Sequence, residues 1–306
     1  MSNHLNIPLI WPFKMLPNTL TPGVHMDDDW ACRQIKIFER KVYYKQKWKR
    51  AYTTKLQITT TIEPDDLKLI DVNRTVIKSF PWTIAAVGSG GENAWECTFD
   101  VTDAGVVPDG VYYLYQKNEL LSVKFEAISE PIFIKADHRN VRVLKYKNSD
   151  NDFGVIWTTG IQMLFMCECD IMDFEPQRER NSMADQVHNV KTLSAYPWRS
   201  FKFYVGEARG VAPYIIDILN RIWCCNNVKF EDLQYETMEG SKWDTNRQKG
   251  FPLMGGSLEV TPARNLSSLQ FIDVDPIAPG IITAYNIDQG FFGTANVVHI
   301  TELEMI

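Results

Sequence analysis

Four carboxylates crowd into one short stretch of this 306-residue chain: Glu168, Asp170, Asp173 and Glu175. Paired carboxylates can move protons or hold calcium, so this is the first place to look for chemistry. On an extended strand successive side chains point to opposite faces. Glu168 and Asp170 then share one face, and Asp173 and Glu175 share the other if the strand runs on. That split brings no fixed pair onto one substrate or ion. Arg178 and Arg180 follow closely enough to neutralise the carboxylates. The segment reads as a solvated or salt-bridged strand end.

The other chemical residue types are scattered. Cys32, Cys97, Cys167, Cys169, Cys224 and Cys225 lack the C-x-x-C spacing that wraps a tetrahedral zinc, and they read as reduced, buried small hydrophobes. His4, His25, His138, His188 and His299 form no H-x-x-H pattern. Asp27, Asp28 and Asp29 lack the alternating ligands of a calcium loop. The glycine-rich run from Gly88 to Gly91 has no Lys-Ser/Thr after it, so a hairpin turn is expected there. No cofactor, metal or catalytic residue is expected. A triad assembled from distant residues would leave no local trace.

The segment KVYYKQKWKR, from Lys41 to Arg50, interleaves five basic residues with Tyr43, Tyr44 and Trp48. Cations beside aromatic faces suit single-stranded nucleic acid or carbohydrate. The same mixture suits a subunit contact, or a strand whose lysine stems cover apolar rings. Tyr43, Tyr44 and Trp48 are candidate interface residues, as are Trp11 and Phe13 near the N-terminus.

These residues must be positioned by elements, and the elements read as strands. Apolar content is 45% and charged content 23%, which is ordinary for a globular chain with a buried core. A net charge of −6 argues against a surface devoted to nucleic acid, and sequence-specific nucleic-acid binding is not expected. No apolar run approaches a membrane span, and Pro8 and Pro12 interrupt the apolar start, so neither membrane partner nor signal peptide is expected.

Residues 1–25 carry Pro8, Pro12, Pro17 and Pro22, which predicts an extended arm. It packs on its own domain or reaches a neighbouring subunit. Residues 26–135 hold short β-rich runs separated by turns such as Asp71-Val-Asn73, the pattern of an immunoglobulin-like β-sandwich. Residues 136–270 form a second β-rich domain. Its one helix, predicted over 211–225, starts near Pro213 and carries an apolar stripe of Ile215, Ile216, Leu219, Ile222 and Trp223. Residues 271–306 form a strand-rich extension, with short strands near 281–285 and 296–302. The fold class is mainly β, in two β-rich domains, one with a packed α-helix.

Several segments combine into a broader likeness: KWKRAYTTKLQITTTIEPDDLKLID, SEPIFI, CECDIMDFEPQRERN, TLSAYPWRSFKFYVG, GVAPYIIDILNRIWCCNNVKF and KWDTNRQKGFPLMGGSLEVTPARN. Together they resemble tail and tail-hub structural proteins of Bacteroidota phages and prophages, of the distal-tail kind. The resemblance implies a non-enzymatic virion protein, assembled in the host cytoplasm as a homo-oligomeric ring. Its implied partners are other tail, fibre or portal-proximal proteins. It names no functional residue. The alternatives are a carbohydrate-binding adhesin module using surface aromatics, and a hydrolase with a spatially assembled site.

Overall fold

Period-two alternation of apolar and polar residues builds most of this molecule. The computed structural model describes residues 5–17, 44–88, 92–120, 123–184, 190–206, 210–246, 253–263, 283–284 and 298–299. Its first strands are β1 (Leu5–Asn6), β2 (Met15–Pro17), β3 (Gln46–Lys49), β4 (Thr54–Thr60), β5 (Leu67–Asp71) and β6 (Val76–Phe80). There follow β7 (Thr83–Val87), β8 (Asn93–Phe99), β9 (Gly110–Leu120), β10 (Val123–Ser129) and β11 (Ile132–Lys135).

These strands make two sheets. One runs β1-β4-β8-β7; the other runs β2-β10-β9-β11-β3, with β5 pairing β9 and β6 pairing β5. Phe99 of the first sheet meets Trp48 and Phe80 of the second at ring separations of 5.3 and 5.2 Å. The two faces therefore share one aromatic core, as in a β-sandwich. The turn at Asp71 closes on its own side chain: Oδ1 accepts from the backbone N–H of Asn73 and of Thr75, both at 2.8 Å.

The remainder of this unit is organised differently. Its elements are β12 (Val141–Lys147), a 3₁₀ turn at Trp157–Thr159, β13 (Met163–Ala184), β14 (Val190–Val205) and the helix α1 (Pro213–Ile222). Then come β15 (Asn227–Phe230), β16 (Leu233–Thr237), β17 (Asp244–Asn246) and β18 (Gly255–Pro262). Pairing runs β14-β13-β12-β15-β16-β18, and β18 pairs back onto β14. Residues 201–205 lie opposite 256–260 in that last pairing. The sheet thus closes on itself as a small barrel, with β17 flanking β18. Phe203 fills its interior, meeting Trp223 at 5.2 Å, Trp243 at 6.1 Å and Phe230 at 6.2 Å.

Helix α1 begins at Pro213, where the missing N–H costs nothing. Its turn of entry is fixed by Gly210, at φ +76°, where an added Cβ would sit 2.9 Å from Leu253 Cβ. Val211 and Met254 then exchange two backbone hydrogen bonds, of 2.8 and 2.9 Å. The stripe Ile215, Ile216, Leu219 and Ile222 is buried, as its spacing predicts. Asp217 and Arg221 pair one turn apart on the outer face, at 2.6 Å.

Two boundaries differ from the sequence reading. Residues 1–261 form one unit, with a single apolar cluster that runs from Ile10 to Val260. No division of the core falls near residue 135. The reason is packing: Tyr44, beside β3, meets Tyr214 of α1 edge-on at 6.2 Å, so helix and sandwich share side chains. The expected N-terminal arm is also part of this unit over its described residues. β1 pairs with β4 and β2 with β10. Residues 18–43 lie outside the described residues, and with them the expected strand CRQIKIF. Residues 262–306 form a second unit, in which β19 (Thr283–Ala284) pairs antiparallel with β20 (Val298–His299).

Candidate assembly surface

The structure places most of the proposed interface residues inside this chain. Trp11, Phe13 and Trp48 are at most 1% exposed, and Tyr44 is buried as well. Trp11 Nε1 donates to the Gln57 carbonyl at 2.8 Å, and Phe13 lies 5.0 Å from both Trp48 and Phe99. These rings cannot anchor a neighbour, because the chain's own sheets already cover them. Tyr43 lies outside the described residues.

The physical reason is legible in β3. From Tyr44 to Arg50, alternate residues are buried, namely Tyr44, Gln46, Trp48 and Arg50. The intervening lysines face outward and find acids: Lys47 pairs with Glu168 at 2.5 Å and Lys49 with Asp137 at 3.1 Å. Arg50 pairs with Asp109 and donates to the Val107 carbonyl at 3.1 Å. The aromatic–basic run is a half-buried strand with neutralised cations.

The four carboxylates are likewise dispersed. Glu168 accepts a hydrogen bond from the Tyr44 hydroxyl at 2.8 Å as well as pairing with Lys47. Asp170 pairs with Arg142 at 3.4 Å, Asp173 accepts from the Tyr204 hydroxyl, and Glu175 lies 3.5 Å from Lys202. A bulge between Met172 and Glu175, with Asp173 at φ +54°, breaks the simple two-face alternation. Among the described residues no three His, Cys, Asp or Glu side chains are placed to hold a metal ion.

Burial also sets the buried ionisable groups. Desolvation raises the Tyr44 hydroxyl well above its ordinary range, and the Glu168 charge raises it further. Tyr214 and Tyr146 are raised for the same first reason. The Cys167 thiol is pushed up by burial and by its contact with Cys169, so it stays protonated and a poor nucleophile. Cys97, Cys169 and Cys225 are buried free thiols too; Cys224 is exposed, contrary to its expected burial. The Tyr214 hydroxyl is buried without a hydrogen-bond partner.

One element is left with open backbone. β13 and β14 remain paired far beyond the barrel wall, through residues 176–184 and 190–199. β12 flanks β13 only as far as Glu168, opposite Val141, and β18 flanks β14 only as far as Phe201, opposite Val260. Past those points the hairpin is a two-stranded ribbon, with no further strand on either side among the described residues. At roughly 3.3 Å per residue it extends about 30 Å. Sequence reasoning found both strands but not the ribbon, because a strand's length does not say where its neighbours end.

A second open feature is a groove of about 300 Å³ between the N-terminal residues and α1. It is lined by Leu5 of β1, Met15 of β2, Phe125 of β10 and Ile218 of α1, with Leu9 at 72% exposure. β1 and β2 each stand at the edge of a sheet.

The tryptophans that would serve a sugar-stacking surface are mostly interior. Trp11, Trp48, Trp82, Trp95, Trp157 and Trp223 are all buried. Among the described residues no helix is long and apolar enough to cross a membrane. No protein-family model matches this chain, and no curated protein matches it either.

Proposed function

We propose that this chain is a structural subunit of a phage tail, tail hub or baseplate, and that it assembles as a homo-oligomeric ring through its β13–β14 ribbon. The observation that carries the reading is the contrast between a closed barrel and an uncovered ribbon growing from its wall. Closure satisfies the backbone of the barrel strands, whereas residues 176–184 and 190–199 pair only with each other. An isolated two-stranded ribbon is marginal in water, and open strand edges pair with other chains. A ribbon that joins a neighbouring copy resolves both problems. The resemblance to tail proteins supplies the setting: a virion component assembled in the host cytoplasm beside other tail and fibre proteins. Such a role requires placement rather than catalysis.

The test is to replace residues 177–198 by an Asn-Gly turn, which joins the register pair Pro176 and Arg199. The shortened protein is expected to keep its far-ultraviolet spectrum and to stay monomeric in light scattering, while the full chain forms discrete rings in electron micrographs. A full-length protein that stays monomeric and ignores tail particles sinks the reading.

A further inference from the structure

We infer that the groove between β1, β2 and α1 is the acceptor for the ribbon of a second copy of this chain, so that the contact is head-to-tail. This rests on the ring reading and names its other half. A heterologous contact needs two different surfaces on each copy, and it generates rings when the rotation closes. The ribbon is the donor, with unpaired backbone along both strands. The acceptor must offer unpaired backbone as well, together with apolar pockets for alternate side chains. Much of the molecule cannot do this. The barrel strands close on one another, and the interior strands of each sheet are paired on both sides.

The groove meets both needs. It lies between two edge strands that belong to different sheets, β1 and β2. Leu5, Met15, Phe125 and Ile218 give it an apolar lining, and the Asp217–Arg221 pair stands at its helix side. Leu9, exposed at 72%, is a large apolar side chain that folding leaves in water. The occupant is a strand because the walls are strand edges. It is the ribbon because the ribbon is the long strand pair in this chain left without flanking strands among the described residues.

Two variants, each defective in one half, separate donor from acceptor. Leu9→Arg places a charge on an already exposed site, spoiling the groove and leaving the ribbon intact. The Asn-Gly replacement of residues 177–198 removes the ribbon and leaves the groove intact. Each alone is expected to weaken assembly roughly tenfold or more, as loss of an interface anchor does. Mixed together they have one good donor and one good acceptor, so they should form one-to-one heterodimers that grow no further, read by size-exclusion chromatography with light scattering. The heterodimer also shows that the Leu9→Arg protein is folded. A mixture that stays monomeric while the wild-type chain assembles, or a Leu9→Arg protein that assembles like wild type, overturns the groove assignment but not the ribbon. Assembly unaffected by ribbon removal overturns both.

Discussion

At the residue scale, the side chains with the most chemical promise are tied up in packing. Tyr214 is the exception, with a buried hydroxyl that has no hydrogen-bond partner. An unsatisfied buried hydroxyl is destabilising, so Tyr214→Phe should leave stability unchanged or raise it by roughly 1 kcal/mol. Urea unfolding checks this, and a clear loss would reveal a partner for that oxygen. His138 gives a pH dependence. Its ring is buried against Phe133, with Nε2 2.9 Å from the Phe133 carbonyl. Burial, aided by Lys47 and Lys135, holds its pKa below the ordinary 6.5. The unfolded chain then binds a proton more readily than the folded one. The stability His138 allows is full above about pH 6.5 and declines as pH falls through the lower folded value. His138→Gln can still donate to the carbonyl but does not titrate. Between about pH 8 and about pH 5 the wild type should lose more of its urea midpoint than this variant; equal losses would show that His138 is not responsible. What sequence reading missed at this scale was the alternation Tyr44, Gln46, Trp48, Arg50. The signal was present, but the density of lysines made the run look like a binding surface. Only a third dimension shows that each cation already has its acid.

At the element scale, the long strands and the helix were legible because their periodicity is strong. The start of α1 at Pro213 and its apolar stripe stand where the spacing put them. Short edge elements were not legible. β7, with sequence TIAAV, shows no alternation because nearly all of it is exposed. β1 and β2 hide among prolines, which correctly predicted an extended backbone but not its partners. The segment that contains them is structural: Ile10, Trp11 and Phe13 are among its fully buried side chains. Deleting residues 1–17 should therefore collapse the cooperative melt or lower its midpoint well beyond the effect of a surface change, since loss of buried Trp and Phe costs about 3–5 kcal/mol for each large side chain. Differential scanning calorimetry decides. A truncated protein that melts like the full chain but fails only in assembly would restore the arm to a bridging role.

At the scale of the whole molecule, the mainly β character with one packed helix was legible, and the organisation was not. Strand content follows from local pattern, but barrel closure depends on residues 201–205 finding 256–260 across a helix and three further strands. Nothing local marks that pairing. The single core across residue 135 was hidden for the same reason, since Tyr44 and Tyr214 meet only after both halves have folded. The continuous β13 and β14 have a mechanical consequence. Tension applied at the ribbon tip runs along two covalent backbones straight into the barrel wall. There it meets ladders to β12 and β18 whose hydrogen bonds lie perpendicular to the pull, so they are loaded together in shear rather than opened one after another. A subunit built this way is stiff along the ribbon and compliant across it, and a ring of such subunits would resist being stretched around its circumference more than being bent out of its plane.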